Sequence, residues 1–252
     1  MNKLLTKKAI FLSAIVSSLL IAPVSVSAAI TDQQMLLKAD QARGNLSGVV
    51  WNVAIQHEAN ARNKGMTLNV KSRGFDVLAK YLAPARNKGN KLLMANGNMW
   101  FYKPSLSKPV PISRRQKLLG NAAYGDIAAT DYANSYKISK VEDTTVSGEA
   151  CKKFRLVSNN KKNTYDLIDY WVSSQRHIAV KAHYYTVSGK LFKTAIMEHN
   201  NSVTINDVSQ PFISKIVISD TLVSKSKTIM KFSKAKIRKI NDYEFNVSFL
   251  RR

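Results

Sequence analysis

The sequence predicts a mainly β fold (α+β) whose antiparallel strands bend into a strongly curved sheet or partial barrel. Three features predict it. Apolar and polar residues alternate with period two through most of the chain, as they do in strands with one buried face. Turn pairs such as Asn96-Gly97, Ser147-Gly148, Asn159-Asn160 and Ser188-Gly189 interrupt the alternation at short intervals, which joins neighbouring strands by local hairpins. Roughly a dozen such strands are more than a flat open sheet usually carries, so the sheet is expected to curl.

The first 28 residues stand apart from this pattern. Lys3, Lys7 and Lys8 precede an apolar run from Ala9 to Val24, and small residues follow at Val26-Ser27-Ala28. This is the pattern of a signal peptide cleaved near Ala28, with residues 29–252 as a single domain. The expected address is the periplasm. No cysteine adjoins the cleavage point, so no lipid anchor is expected on the chain itself. Cys151, its one cysteine, cannot form an internal disulfide, and the fold must rest on its own core.

A short helix opens the domain. Thr31 caps it with Gln34 as the reciprocal partner, and Met35, Leu36 and Ala39 form its apolar stripe before Gly44. Val49, Trp51, Val53 and Ile55 alternate with smaller or polar residues in a first strand. A turn near Asn63-Lys64-Gly65 leads to a second, with Met66, Leu68 and Val70 on one side. Further strands are expected at 77–82, 91–95 and 99–103, the last two around the Asn-Gly hairpin. From Pro104 to Tyr136 the pattern changes to three early prolines, Arg114-Arg115, the 116–119 segment and helical spacing over 126–132, which reads as a long connection with one or two short helices. Connections of this length usually serve a function, and a movable lid is the reading here. Strands then resume at 136–143, 149–158, 167–173, 178–187, 191–198, 213–222 and 227–237.

The search for catalytic chemistry is negative. The four histidines have no metal-ligand spacing, and no HExxH, GxSxG or Gly-rich phosphate loop occurs. Cys151 reads as a packing residue, and Asp126 and Asp131 as helix caps. No cofactor, metal or enzymatic activity is expected. Loss of the three signal-peptide lysines takes the formal net charge from +23 to +20. In an exported protein that excess points away from nucleic acid. It leaves either a solvated basic surface or transient attraction to an anionic membrane surface. Trp51, Val53, Met66, Leu68, Leu92, Met94, Met99, Phe101, Tyr170 and Tyr184 are the candidates for one apolar concave face, joined by Met197, Met230 and Phe232. Such a face is either an ordinary filled core or the lining of a cavity suited to a flexible acyl chain.

A family resemblance bears on that choice. The run Tyr81-Leu82-Ala83-Pro84-Ala85-Arg86-Asn87-Lys88-Gly89, then Asn98-Met99-Trp100-Phe101-Tyr102-Lys103-Pro104, then Ile112-Ser113 and the segment from Gly125-Asp126-Ile127 to Asp131-Tyr132 resembles the LolA-like outer-membrane lipoprotein-sorting family. Two departures fall in the connecting segment. Asp126 follows Gly125 directly, where the family has an intervening Ser, and Ile127 stands where the family has an aromatic residue. The resemblance implies an incomplete antiparallel barrel with a few short helices as plug or lid over an apolar concave face. It implies a non-enzymatic periplasmic carrier of lipidated protein, or of another hydrophobic lipid, between inner and outer membranes. Its partners would be lipid or lipoprotein acyl chains, an inner-membrane transporter and an outer-membrane acceptor. Arg114, Arg115, Leu118, Leu119, Ile127 and Tyr132 become the lid and partner candidates. The alternative is an interaction or sensor module that binds a membrane transporter or signalling protein without transferring cargo.

Overall fold

The computed structural model describes residues 30–58, 65–222 and 226–251. The expected signal peptide lies outside these residues, as do Asn63 and Lys64 of the first expected turn. In chain order the elements are α1 (Asp32–Gln41), β1 (Val49–His57), β2 (Met66–Arg73), β3 (Asp76–Ala83), β4 (Lys91–Ala95), β5 (Asn98–Tyr102), β6 (Val110–Ile112), β7 (Lys117–Leu119), β8 (Ala122–Ala123), α2 (Tyr132–Ser135), β9 (Tyr136–Val146), β10 (Glu149–Ser158), β11 (Leu167–Ser173), β12 (Ala179–Tyr185), β13 (Leu191–Glu198), β14 (Asn201–Ile205), β15 (Val208–Phe212), β16 (Lys215–Asp220) and β17 (Lys227–Ile237). Among the described residues no helix is long and apolar enough to cross a membrane.

Local chemistry explains most boundaries. The Thr31 side chain accepts from the Gln34 amide at 3.2 Å while Gln34 Oε1 accepts from the Thr31 amide at 3.0 Å, so two orphan donors at the start of α1 are satisfied reciprocally. Asn96 and Gly97 both adopt positive φ in the tight β4–β5 turn. Asn206 and Asp207 do the same between β14 and β15, a hairpin that the sequence reading passed over.

Thirteen strands form one antiparallel sheet in the order β6-β5-β4-β3-β2-β1-β17-β16-β13-β12-β11-β10-β9. The chain's last strand pairs with its first, β17 on β1, which joins two meanders into one continuous surface. The sheet does not close, because β6 and β9 remain as edges. Its curvature nonetheless brings the two ends together: Lys162, in the β10–β11 loop, donates to Asn98 Oδ1 on β5 at 2.8 Å. This is the expected incomplete barrel. The segment between β6 and β9 is the piece of chain that spans the opening.

That segment holds two short helices, as expected, together with the small β7–β8 hairpin. A 3-10 turn at Tyr124–Ile127 ends when Ala128 turns extended, and α2 starts only at Tyr132. Asp126 caps this short 3-10 turn as expected, its carboxylate accepting from the N-cap Ala123 amide at 2.7 Å, and it also accepts from the Tyr165 hydroxyl at 2.8 Å.

Candidate functional site

Residues directly opposite across a strand pair share a face of the sheet. The register aligns Val53 with Leu68, Ile55 with Met66, and Trp51 with Val70. It continues through Leu68 to Tyr81, Val70 to Ala79, Ala79 to Leu92, Val77 to Met94, Leu92 to Phe101 and Met94 to Met99. From the other direction Tyr170 aligns with Phe154 and Ala182, Tyr184 with Lys193, Ala195 with Ile218, and Met197 with Ile216. Met230 and Phe232 face Ile55 and Val53. All ten cavity candidates therefore stand on one face, together with Met197, Met230 and Phe232. Trp51, Val53, Leu68, Leu92 and Tyr170 are at most 1% exposed.

The lid lies over this face. Its inward residues are mostly small: Ala122, Ala123, Ala128, Ala129 and Ala133 are buried along with Ile127. Leu118 and Leu119, on β7, are only half-buried. Tyr132 packs edge-on against Tyr136 and Tyr170, with ring centroids 5.1 and 5.0 Å away. Gly120, at φ +56, seats the β7–β8 turn against the hydrogen-bonded His57 and Thr228 side chains, leaving no room for a Cβ.

Side chains, rather than a strand ladder, hold the lid down. Arg43 donates to the Asp126 carbonyl at 3.4 Å, and Asn45 to the Thr130 carbonyl at 2.9 Å. The Gln33 amide donates to the Ala133 carbonyl, and the Asp40 carboxylate accepts from the Ala133 amide at 2.9 Å. At the opposite end Arg114, 5% exposed, donates to the Lys162 carbonyl at 2.7 Å and to Asn163 Oδ1 at 3.1 Å. Its guanidinium sits 5.2 Å over the Phe75 ring and against Met94. Arg115 grips Asp166 with two bonds of 2.7 and 2.6 Å. The two arginines thus tie the lid to the β10–β11 loop. Sequence reasoning picked out Arg114, Arg115, Ile127 and Tyr132 but missed Arg43, Phe75, Asn163 and Tyr165, whose roles depend on contacts between distant segments.

Burial governs the electrostatics. Asp40 is 1% exposed, and desolvation pushes its carboxyl up to about 7 despite the Ala133 amide bond. Desolvation likewise draws the Arg114 guanidinium down and drives the Tyr132, Tyr165 and Tyr170 hydroxyls well above their ordinary values. Tyr165 stacks on Tyr184 at 3.8 Å and carries the Lys193 ammonium 5.4 Å above its ring. Under the lid a cavity of about 30 Å³ remains, lined by Arg43, Thr130, Tyr132, Tyr184 and Ile218 among others. It has room for about one water and none for an acyl chain. In this closed state the lid fills the space that a ligand would need. Among the described residues no group of three or more His, Cys, Asp or Glu side chains is placed to hold a metal.

A family model described as "Uncharacterized protein" matches residues 76–252. The crystal structure of a LolA superfamily protein from Nitrosomonas europaea superposes with a TM-score of 0.77 at 28% identity, covering 88% of this chain and 100% of that one. The chain belongs to this LolA-like family. Two more distant crystal structures share the fold. One is an outer membrane lipoprotein-sorting protein domain from Vibrio parahaemolyticus, with a TM-score of 0.74 and 15% identity, covering 87% of this chain and 98% of that one. The other is a DUF1329 family protein from Desulfovibrio piger, with a TM-score of 0.70 and 18% identity, covering 86% and 97%. No curated protein matches the chain.

Proposed function

We propose that this LolA-like protein is a periplasmic, non-enzymatic carrier that holds an acyl chain of a lipidated protein or lipid between the concave face and the lid. The observation that carries the reading is how the lid is held. It covers a continuous apolar face with small side chains, yet its backbone is anchored by a few side-chain hydrogen bonds that water can replace one for one. Lifting the lid exposes apolar surface that a hydrocarbon chain covers again, and each buried methylene contributes about 0.8 kcal/mol. Lys3, Lys7 and Lys8 and the apolar run from Ala9 to Val24, both ahead of Ala28, support export. An inner-membrane transporter and an outer-membrane acceptor are the partners this role requires.

The filled interior favours one rival, a cargo-free module that signals by protein contact. Native mass spectrometry and lipid extraction of protein purified from the cell envelope separate the two. Co-purified acyl species, displaced by a fluorescent fatty acid, support the carrier. Protein that carries no lipid, and that fails to take up the fatty acid even when the lid is loosened, overturns it.

A further inference from the structure

The convex face of the sheet has its own apolar cluster. Leu78, Leu93, Ala95 and Tyr102 point outward and are capped by Ile240, Phe245 and Leu250 of the C-terminal segment. Beside this cap runs an open groove of about 550 Å³, floored by Leu78 and Leu250 and walled by Tyr243 and Phe249. Tyr243 keeps 55% of its surface exposed.

Three lysines from adjacent strands rim the groove: Lys71 on β2, Lys80 on β3 and Lys91 on β4. Lys80 and Lys91 are direct cross-strand partners, an arrangement that like charges disfavour. Lys71 pairs with Glu244, the one carboxylate lining the groove among the described residues, which is thereby engaged. Lys91 donates to the Leu250 carbonyl at 2.8 Å and lies 5.7 Å over the Tyr102 ring. Burial and then the neighbouring Lys80 draw its ammonium below the ordinary lysine value. Lys80 is exposed and has no hydrogen-bond or ion-pair partner among the described residues. Among the described residues the groove therefore sets an excess of positive charge against an apolar floor. A complementary ligand carries an anionic group joined directly to hydrocarbon.

We propose that this groove is where the protein rests on a membrane, taking the phosphate of an anionic bilayer lipid between Lys80 and Lys91 and its first methylenes against Leu78 and Tyr243. The purpose of such docking rests on the carrier reading, but the site does not. These side chains point away from the concave face, on which the adjacent Ala79 and Leu92 lie.

The test is flotation with vesicles of mixed phosphatidylglycerol and phosphatidylcholine, against vesicles of phosphatidylcholine alone. Lys80→Glu removes no intramolecular bond, and its affinity for the anionic vesicles is expected to fall at least about tenfold. Lys190→Glu, on the β12–β13 hairpin, changes the net charge equally and is expected to shift affinity less than about twofold. Circular dichroism confirms that both variants fold. Equal losses in the two variants overturn the site in favour of bulk charge. So does equal binding to both vesicle types, release by millimolar inorganic phosphate, or dimerisation that Lys80→Glu abolishes in light scattering. Fatty-acid uptake, measured in parallel, is expected to be unchanged in Lys80→Glu. Protein that docks but carries no lipid and takes up no fatty acid, even with the lid loosened, refutes the carrier reading and leaves the groove standing.

Discussion

Arg114 enters the closed state as a buried cation whose direct partners are neutral oxygens, the Lys162 carbonyl and Asn163 Oδ1. Replacing it with leucine keeps apolar contact with Phe75 and Met94 but leaves both acceptors unpartnered, and Asn163 is only 3% exposed. Each bond from a charged donor contributes about 1.5–3 kcal/mol, partly offset because the cation no longer has to be desolvated. A net loss of about 3 kcal/mol at the lid corresponds to about a hundredfold rise in its opening equilibrium. Native-state hydrogen exchange reads this directly. Amides of residues 113–135 are expected to exchange about two orders of magnitude faster in Arg114→Leu, while the central strands β1, β2 and β17 keep the protection set by global unfolding. Fatty-acid uptake is expected to accelerate in step. Exchange that rises uniformly across the sheet, or stays unchanged in the lid, refutes the claim that Arg114 acts as a latch.

Gly120→Ala places a methyl group against His57 and Thr228 in a backbone conformation that side chains disfavour, so it is expected to loosen the same lid from its other end by about 1–3 kcal/mol, again read by exchange at residues 117–130. Asp40 holds a proton up to about 7 in the folded chain, whereas an unfolded aspartate releases it near 4. Its contribution to stability is therefore largest below about pH 4 and falls by about 4 kcal/mol as pH rises through 7. His199 runs the other way. Burial, with Arg43 and Arg176 nearby, holds it neutral down to about 3, so its contribution is full above about pH 6.5 and declines as pH falls. Urea titrations are expected to show a flattened wild-type profile between these limits, with Asp40→Asn exposing the acid-side loss and His199→Phe the alkaline-side loss. The Cys151 thiol, buried and raised by that burial, is expected to resist thiol reagents in the native protein and to react promptly once unfolded, as a kinetic labelling assay checks.

Strands and their faces were legible because period-two alternation is a local signal: 149–158, 167–173, 191–198 and 227–237 match the observed elements end to end. The capping box at Thr31 was legible for the same reason. The β14–β15 hairpin escaped because its turn is Asn206-Asp207 rather than a glycine pair, and because Val208–Phe212 is exposed along most of its length. The lid's course was illegible in principle. Its hydrogen bonds reach partners tens of residues away, such as Arg43 to Asp126 and Arg115 to Asp166, and no pattern within a short window encodes them. The apolar face was assigned residue by residue, but whether it enclosed space or packed shut depended on the lid.

That dependence bears on how a carrier can both hold and release. An acyl chain of about sixteen carbons gains about 13 kcal/mol on burial. Opening uncovers Ile127, the five buried lid alanines and the Tyr132 ring that packs on Tyr170, and it exchanges the side-chain latches for water. Larger lid residues would fill the face so well that no ligand could displace them, and polar ones would leave the lid undocked and the face exposed to solvent. A lid of small apolar residues pinned by replaceable hydrogen bonds keeps the empty protein closed, and it lets a partner that competes for Arg114 or Arg115 tip the exchange either way.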